Sequence, residues 1–401
     1  MKIAHFSFST FGGAGKLARL LYKSQIDQGL DAHFFSLTDS NLHINALRLP
    51  KLLSLSIIDQ YILSKSNNPS LVSILREHNN GFKLEHFSHD FDVIHLHWIP
   101  GLIRIKELPK LFNSNVKLVW SIQDFWPMTG GCHFVGACTG YVTDCSACPQ
   151  LRHGFKNLAQ KQLAVKSSTF AKFKENLTLV APSQYVEQRL KSSSLFGDFK
   201  TVIIGNPISL EKKDNYFGSN QKYGKNPRGQ FVIGCVAANL SEERKNISLL
   251  INWFKSNHKK FKIPIKLLLV GKSAEFLESH PNIEIRKNIT DEDEMNSVYK
   301  EMHINISISS EETFGYTILE AGIQGVASIC INGTAQSELI QSGKNGILIN
   351  TLDDLNGAIE RILRSEKFRK AISSSAKSDY SNEYSVHNIN SKYLEIYSSN
   401  K

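Results

Sequence analysis

Two carboxylates eight positions apart, Glu312 and Glu320, frame the stretch Thr313-Phe314-Gly315-Tyr316, which follows an apolar run and opens a helical pattern. With Thr313 as N-cap, the backbone N–H groups from Phe314 to Tyr316 point out of the helix start and favour negative charge such as a diphosphate. Glu312 precedes the helix and can face the same ligand. Glu320, about two turns along, can accept hydrogen bonds from a ribose diol. Surface helices carry carboxylate pairs routinely, so the preceding strand and the helix start give this pair its meaning. A second candidate anion site is Ser9-Thr10-Phe11-Gly12-Gly13-Ala14-Gly15-Lys16, directly after the first apolar run. It is not a Walker A loop, because Thr10 and Leu17 stand where glycine and Ser or Thr are required. It fits a degraded dinucleotide fingerprint, Gly13-x-Gly15-x-x-Ala18 with Asp39 beyond. A nicotinamide-dependent oxidoreductase and a tight strand-to-helix turn are both readings of it.

Four of the six cysteines fall within Cys132-x5-Cys138-x6-Cys145-x2-Cys148. In a reducing compartment such clustering favours a structural zinc site, and the terminal pair has a usual ligand spacing. A disulfide pair and free buried thiols remain the alternatives. His133 follows the first cysteine and is either a further ligand or a residue of an acceptor site. His95 and His97 alternate in an apolar run, so they share a face near its carboxyl end. They either line a cleft or form a satisfied structural pair.

The elements that must carry these residues alternate between apolar β-branched runs and helical patterns, as in parallel α/β sheets. The expected strands in the first half are Lys2–Phe8, Ala32–Leu37, Asp92–Trp98, Lys117–Ile122, Thr178–Ala181 and Thr201–Ile204. In the second half they are Phe231–Ala237, Ile265–Val270, Asn282–Arg286, His303–Ile308, Ala327–Ile331 and Gly346–Ile349. The polar stretch Ser209 to Gly229 reads as a linker. The fold class expected is α/β, with two doubly wound Rossmann-like domains facing a cleft: residues 1–205, then 206–380. A final segment, 381–401, has a helix at about Val386 to Tyr397 that crosses back to the first domain.

Charge is uneven, with 22 basic against 14 acidic residues over 1–205 and 25 against 23 over 206–401. A basic first half suits an anionic partner. Lys156, Lys161, Lys166, Lys172 and Lys174 lie in one helical stretch, which is either a face for anionic lipid or a solvated face. The start of the chain lacks a signal-peptide pattern, and the apolar region Leu52 to Leu63 is interrupted and too short to span a bilayer. The expectation is a cytoplasmic protein.

Glu312-x7-Glu320, followed by Gly325-Val326, resembles the signature of the retaining glycosyltransferases of family 4, which have the GT-B fold. The stretch from Ser337-Glu338-Leu339-Ile340 to Gly343-Lys344-Asn345-Gly346 is similar to the segment that closes that family's donor site. Gly12-Gly13 is similar to its N-terminal glycine loop, and Ile203-Ile204-Gly205-Asn206-Pro207 to its interdomain turn. Asp124-Phe125-Trp126-Pro127-Met128-Thr129-Gly130-Gly131-Cys132-His133 resembles members from bacterial exopolysaccharide and O-antigen clusters, including colanic-acid-type enzymes. The resemblance implies a UDP- or GDP-sugar donor held without a catalytic metal. In this reading Glu320 contacts ribose, Lys245 and the Phe314–Gly315 helix start take the phosphates, and Glu312 acts on the sugar. Gly12 and Gly13 join the donor site, and the acceptor is a lipid-linked oligosaccharide at the inner membrane face, with no nucleic acid involved. Two positions depart from the pattern. Gln123-Asp124 stands where relatives have His-Asp, and Asn239 stands where many have an arginine, with Arg244 near enough to replace it. A non-catalytic glycan-binding relative and a phosphorylase or epimerase of the same fold are the rival readings.

Overall fold

The computed structural model describes residues 1–36, 58, 63–65, 72–74, 84–111, 116–210, 229–274, 278–287 and 289–399. Asp39, nearly all of Leu52–Leu63 and most of the expected linker lie outside the described residues. The chain divides into two units, Met1–Pro207 with Val386–Lys401, and Ile208–Ser385.

In the first unit six parallel strands are β1 (Lys2–Phe6), β2 (Asp31–Phe35), β3 (Val93–Leu96), β4 (Lys117–Ser121), β5 (Leu177–Ala181) and β6 (Lys200–Ile203). Their order is β2-β1-β3-β4-β5-β6. The sequence runs are apolar almost without alternation because helices cover both faces of a parallel sheet. All four residues of β3 and all five of β5 are buried. The helices are α1 (Gly12–Asp27), α2 (Leu84–Asp90), α3 (Lys156–Phe170) and α4 (Gln184–Ser192). Phe6, Leu96, Trp120 and Leu179 anchor one continuous core.

The second unit holds β7 (Phe231–Asn239), α5 (Ile247–Asn257), β8 (Ile265–Lys272), β9 (Ile283–Arg286), α6 (Glu292–Glu301), β10 (Ile304–Ser307), α7 (Tyr316–Ile323), β11 (Ser328–Ile331), β12 (Gly346–Ile349), α8 (Leu355–Arg364) and α9 (Glu366–Glu383). Strand order is β12-β11-β10-β7-β8-β9. Chain direction across the sheet reverses at β7, which pairs with β8 on one side and with β10 on the other through Ile304 and Ile233. In a doubly wound sheet the loops leaving the carboxyl ends of such a strand pair frame the ligand crevice. Gly234 in β7 is forced by packing, since a Cβ there would lie 2.0 Å from the Met302 sulfur. Ile233, Leu267, Ile306 and Ile329 form the core on one face, and Val232, Leu268 and Tyr299 on the other.

The last helix, α10 (Val386–Ser398), belongs to the first unit. A polar network seats it. Gln25 on α1 donates to Asn390 Oδ1 at 3.0 Å, Tyr397 Oη pairs with His95 Nδ1 at 2.6 Å, and Tyr393 Oη pairs with Ser121 Oγ at 2.7 Å. Ile389, Tyr393 and Tyr397 are buried beside these groups. Lys117 donates to the carbonyl of Ile396 at 2.8 Å, supplying positive charge where the carbonyls of a helix end are unpaired.

Candidate functional site

The loops after β7 and β10 are stitched together backbone to side chain. Asn246, held left-handed at φ 55°, donates from Nδ2 to the carbonyl of Ile308 at 2.9 Å. The Ser310 N–H donates to the Arg244 carbonyl at 2.8 Å, and Arg244 Nη1 donates to the Glu311 carbonyl at 3.0 Å. This seam brings two positive charges onto one carboxylate. Lys245 Nζ donates to Glu312 Oε1, and Arg244 Nη1 lies 3.1 Å from the same oxygen. Arg244 also pairs with Glu242 at 2.6 Å. Burial alone would raise the Glu312 carboxyl, but the neighbouring Lys245 and Arg244 charges outweigh it and hold it below the usual carboxylate range. Asn239 does not reach into this cluster in the way an arginine would. Its Oδ1 accepts from the N–H and hydroxyl of Ser241, closing the turn after β7.

The helix that follows starts later than the sequence suggested. Its N-cap is Gly315 rather than Thr313, and its first residue is Tyr316. Gly315 sits at φ 119°, and a Cβ there would come within 2.9 Å of Gln336 Cβ, so only glycine fits. Gln336, from a 3-10 turn at Ala335–Leu339, accepts from Ser307 Oγ at 2.6 Å and donates to the Ser309 carbonyl at 3.2 Å. It thereby fixes the loop from below. Phe314 is buried against Tyr316 and Tyr384, so its side chain is packed into the unit. One side of α7 carries Glu320, whose Oε2 accepts from Tyr299 Oη at 2.9 Å. Burial, then the Glu320 charge, pushes the Tyr299 hydroxyl well above its usual range and keeps it a donor.

In the first unit the loop after β4 presents Gln123 and Asp124. Gln123 and Asn206 exchange two amide hydrogen bonds, at 3.0 and 2.8 Å. Asp124 accepts from Trp98 Nε1 at 2.7 Å and from the Trp126 N–H at 2.9 Å, and pairs with His133 Nδ1 at 2.6 Å. His133 Nε2 in turn meets Ser73 Oγ at 2.8 Å. This Ser–His–Asp order is that of a nucleophile relay. Ser73, however, is 4% exposed, and its N–H and carbonyl are taken by Gly131 and the Trp126 indole. The relay holds chain segments together.

Gly12 and Gly13 open α1 on the surface, Gly12 at φ 72°, while Gly15 lets the helix approach the loop so closely that a Cβ would lie 2.4 Å from the Ser9 carbonyl oxygen. His97 is buried at 2% exposure, bonded through Nε2 to His5 Nδ1 at 3.1 Å, so it faces a core cluster and not open space. His5, His95 and His97 are, among the described residues, the one group of three or more such side chains whose ligand atoms all come within 4.8 Å of one another. Hydrogen bonds to Gln25, Ser121 and Tyr397 already occupy the outer nitrogens of His5 and both of His95. Cys132, Cys138, Cys145 and Cys148 line one cavity, their sulfurs not drawn together in the way the three histidines are. Lys166 departs from the expected basic face: it is buried, donates to the carbonyls of Trp126 and Thr129, and lies 3.8 Å over the Trp126 ring.

Residues 219–379 match the family described as "Glycosyl transferases group 1". The second unit carries a glycosyltransferase group 1 domain. The chain is accordingly an enzyme of the glycosyltransferase class. It is 25% identical over 350 residues to the putative colanic acid biosynthesis glycosyl transferase WcaC of Escherichia coli K12, covering 82% of each chain. Among solved structures it is similar to Anabaena HepE in complex with UDP-glucose, at TM-score 0.65 and 17% identity over 100% of both chains. It is also similar to WaaG, a glycosyltransferase involved in lipopolysaccharide biosynthesis, at TM-score 0.65 and 12% identity over 99% of this chain and 100% of that one. With the two parallel sheets, these likenesses establish the GT-B fold.

Within the glycosyltransferase domain the structure brings Glu312, Lys245 and Arg244 together and sets Gly315 at the adjoining helix start. Glu320 lies on that helix against Tyr299. Sequence reasoning did not single out Tyr299, Gln336 or Ser73. Each acts through a hydrogen bond to a residue at least 21 positions away, which no local spacing reveals.

Proposed function

We propose that the chain is a retaining glycosyltransferase of the family 4 type, moving a sugar from a UDP- or GDP-sugar to a glycan acceptor in bacterial surface polysaccharide assembly. The observation that carries this reading is the cluster of Lys245, Arg244 and Glu312 at the strand reversal, beside the start of α7. Without ligand, two cations share one carboxylate. A diphosphate gives them a second anionic partner, and Glu312 is then released toward the sugar. Lys245, Arg244 and the N–H groups at Gly315 and Tyr316 stabilise the charge that grows on the leaving diphosphate, an electrostatic task suited to preorganised donors. Glu320 takes the ribose diol. Arg244 fills the role of the arginine that Asn239 replaces. Retention follows from attack on the face the diphosphate leaves, with the departing phosphate taking the acceptor proton. The UDP-glucose bound by HepE and the naming of WcaC support the donor class and the pathway.

The acceptor falls to the first unit, and a lipid-linked oligosaccharide fits its basic surplus. No described helix is long and apolar enough to cross a membrane. The proposed setting is the cytoplasmic face of the inner membrane, with anionic lipid as a peripheral contact. The test is thermal stabilisation of the purified chain by UDP, GDP and NAD, with Glu320→Ala alongside, followed by NMR of the product's anomeric configuration. Stabilisation by UDP or GDP that the substitution abolishes, with a retained anomer, supports the reading. Stabilisation by NAD alone overturns it, an inverted product overturns the mechanism, and nucleotide binding without product in any acceptor pool points to a non-catalytic relative.

A further inference from the structure

The loop from Thr129 to Leu151 is 23 residues long and contains one short 3-10 turn, Gly140–Val142. Its ends are anchored by isolated bridges, Val72 to Cys132 and Ser64 to Leu151. A compact domain seldom keeps a loop of this length without a further device to hold it. At its centre lies a cavity of about 380 Å³ lined by all four clustered thiols, Cys132, Cys138, Cys145 and Cys148. Protein interiors otherwise pack to crystal density.

One backbone N–H is turned onto a sulfur: Gly140 donates to Cys138 Sγ at 3.4 Å. Gly140 stands between two of the sulfurs: a Cβ there would lie 3.4 Å from Cys138 Sγ and 3.9 Å from Cys145 Sγ.

We propose that Cys132, Cys138, Cys145 and Cys148 bind one thiophilic divalent cation of the zinc class, which draws them inward and locks the loop. Each thiol gives up its proton on binding, so four protons are released per ion, and the resulting tetrathiolate carries two negative charges. At metal–sulfur distances of about 2.3 Å the four sulfurs would stand about 3.8 Å apart. The site performs no chemistry on the sugar and is independent of the donor reading. No redox step is involved.

The test uses the full chain, purified under reducing conditions without chelator. Metal analysis should find about one zinc per chain, and cobalt replacement should give the intense thiolate-to-metal charge-transfer and visible bands of a tetrahedral tetrathiolate. Cys145→Ser with Cys148→Ser should abolish both. If that double variant does not fold, cobalt titration of the unsubstituted protein stripped of metal decides alone. Stabilisation by UDP should persist in stripped protein, which separates failure here from failure of the donor assignment. A metal-free chain that takes up no cobalt, or one in which mass spectrometry finds a disulfide among these cysteines, would overturn the proposal.

Discussion

At the residue scale, Glu312 is the group on which the proposed chemistry turns, because it shares its oxygen with both cations of the cluster. Glu312→Gln keeps the shape and removes the charge. Turnover should fall by about 100-fold or more, the range seen when one preorganised electrostatic partner is lost, while UDP affinity should hold or rise as Lys245 and Arg244 are freed. Steady-state kinetics beside calorimetric titration of UDP checks both halves, and unchanged turnover would remove Glu312 from the mechanism. Gly315→Ala introduces a Cβ into contact with Gln336 at a left-handed backbone position. It should cost about 1–3 kcal/mol in urea unfolding and weaken UDP binding by displacing the helix start. Both acidic residues and Gly315 were legible in the sequence, because a strand, a turn and a helix start follow one another locally there. Thr313 misled as a cap for a long-range reason. Close packing of Gln336, 21 positions beyond Gly315, fixes where the chain turns, and no neighbour of Thr313 in sequence carries that information.

At the scale of elements, the twelve described strands were legible because a parallel sheet covered on both faces leaves uninterrupted apolar runs. The histidine cluster was only half legible. His95 and His97 show the alternation of a strand, but His5 joins them from β1 and Tyr397 from α10, and only the fold brings these together. Burial lowers His5 to about 4 and holds His95 and His97 well below their usual value, with mutual repulsion adding to it. A base whose folded pKa is depressed is neutral when folded and takes up its proton on unfolding. The stability it contributes is therefore fully present above about pH 6.5 and is lost as pH falls toward 4. Chemical denaturation at a series of pH values should show this decline in the first unit, at up to roughly 1.4 kcal/mol per pH unit for each histidine that titrates. A flat profile between pH 7 and 5 would show that the cluster already has access to protons.

At the scale of the molecule, each unit has its own sheet and core, yet the first is assembled from two separated pieces of chain. Ending the protein after Ser385 should strip Ile389, Tyr393 and Tyr397 from the first unit and leave Gln25, His95 and Ser121 without their partners on α10. The apolar loss alone amounts to roughly 5 kcal/mol or more, enough to unfold a domain of ordinary stability. Limited proteolysis of the shortened chain should degrade the first unit and spare a fragment near 208–385, and survival of both would show that α10 is dispensable. The same arrangement orders events during synthesis. When the ribosome has made Pro207 the first sheet is complete but its final helix does not yet exist, and it arrives only after the whole second unit has been translated, a delay of roughly 10–40 s. The amino-terminal half must wait in an unfinished state while its successor folds, so a message cut short before the codons of α10 yields a protein that the cell's proteases can recognise as incomplete.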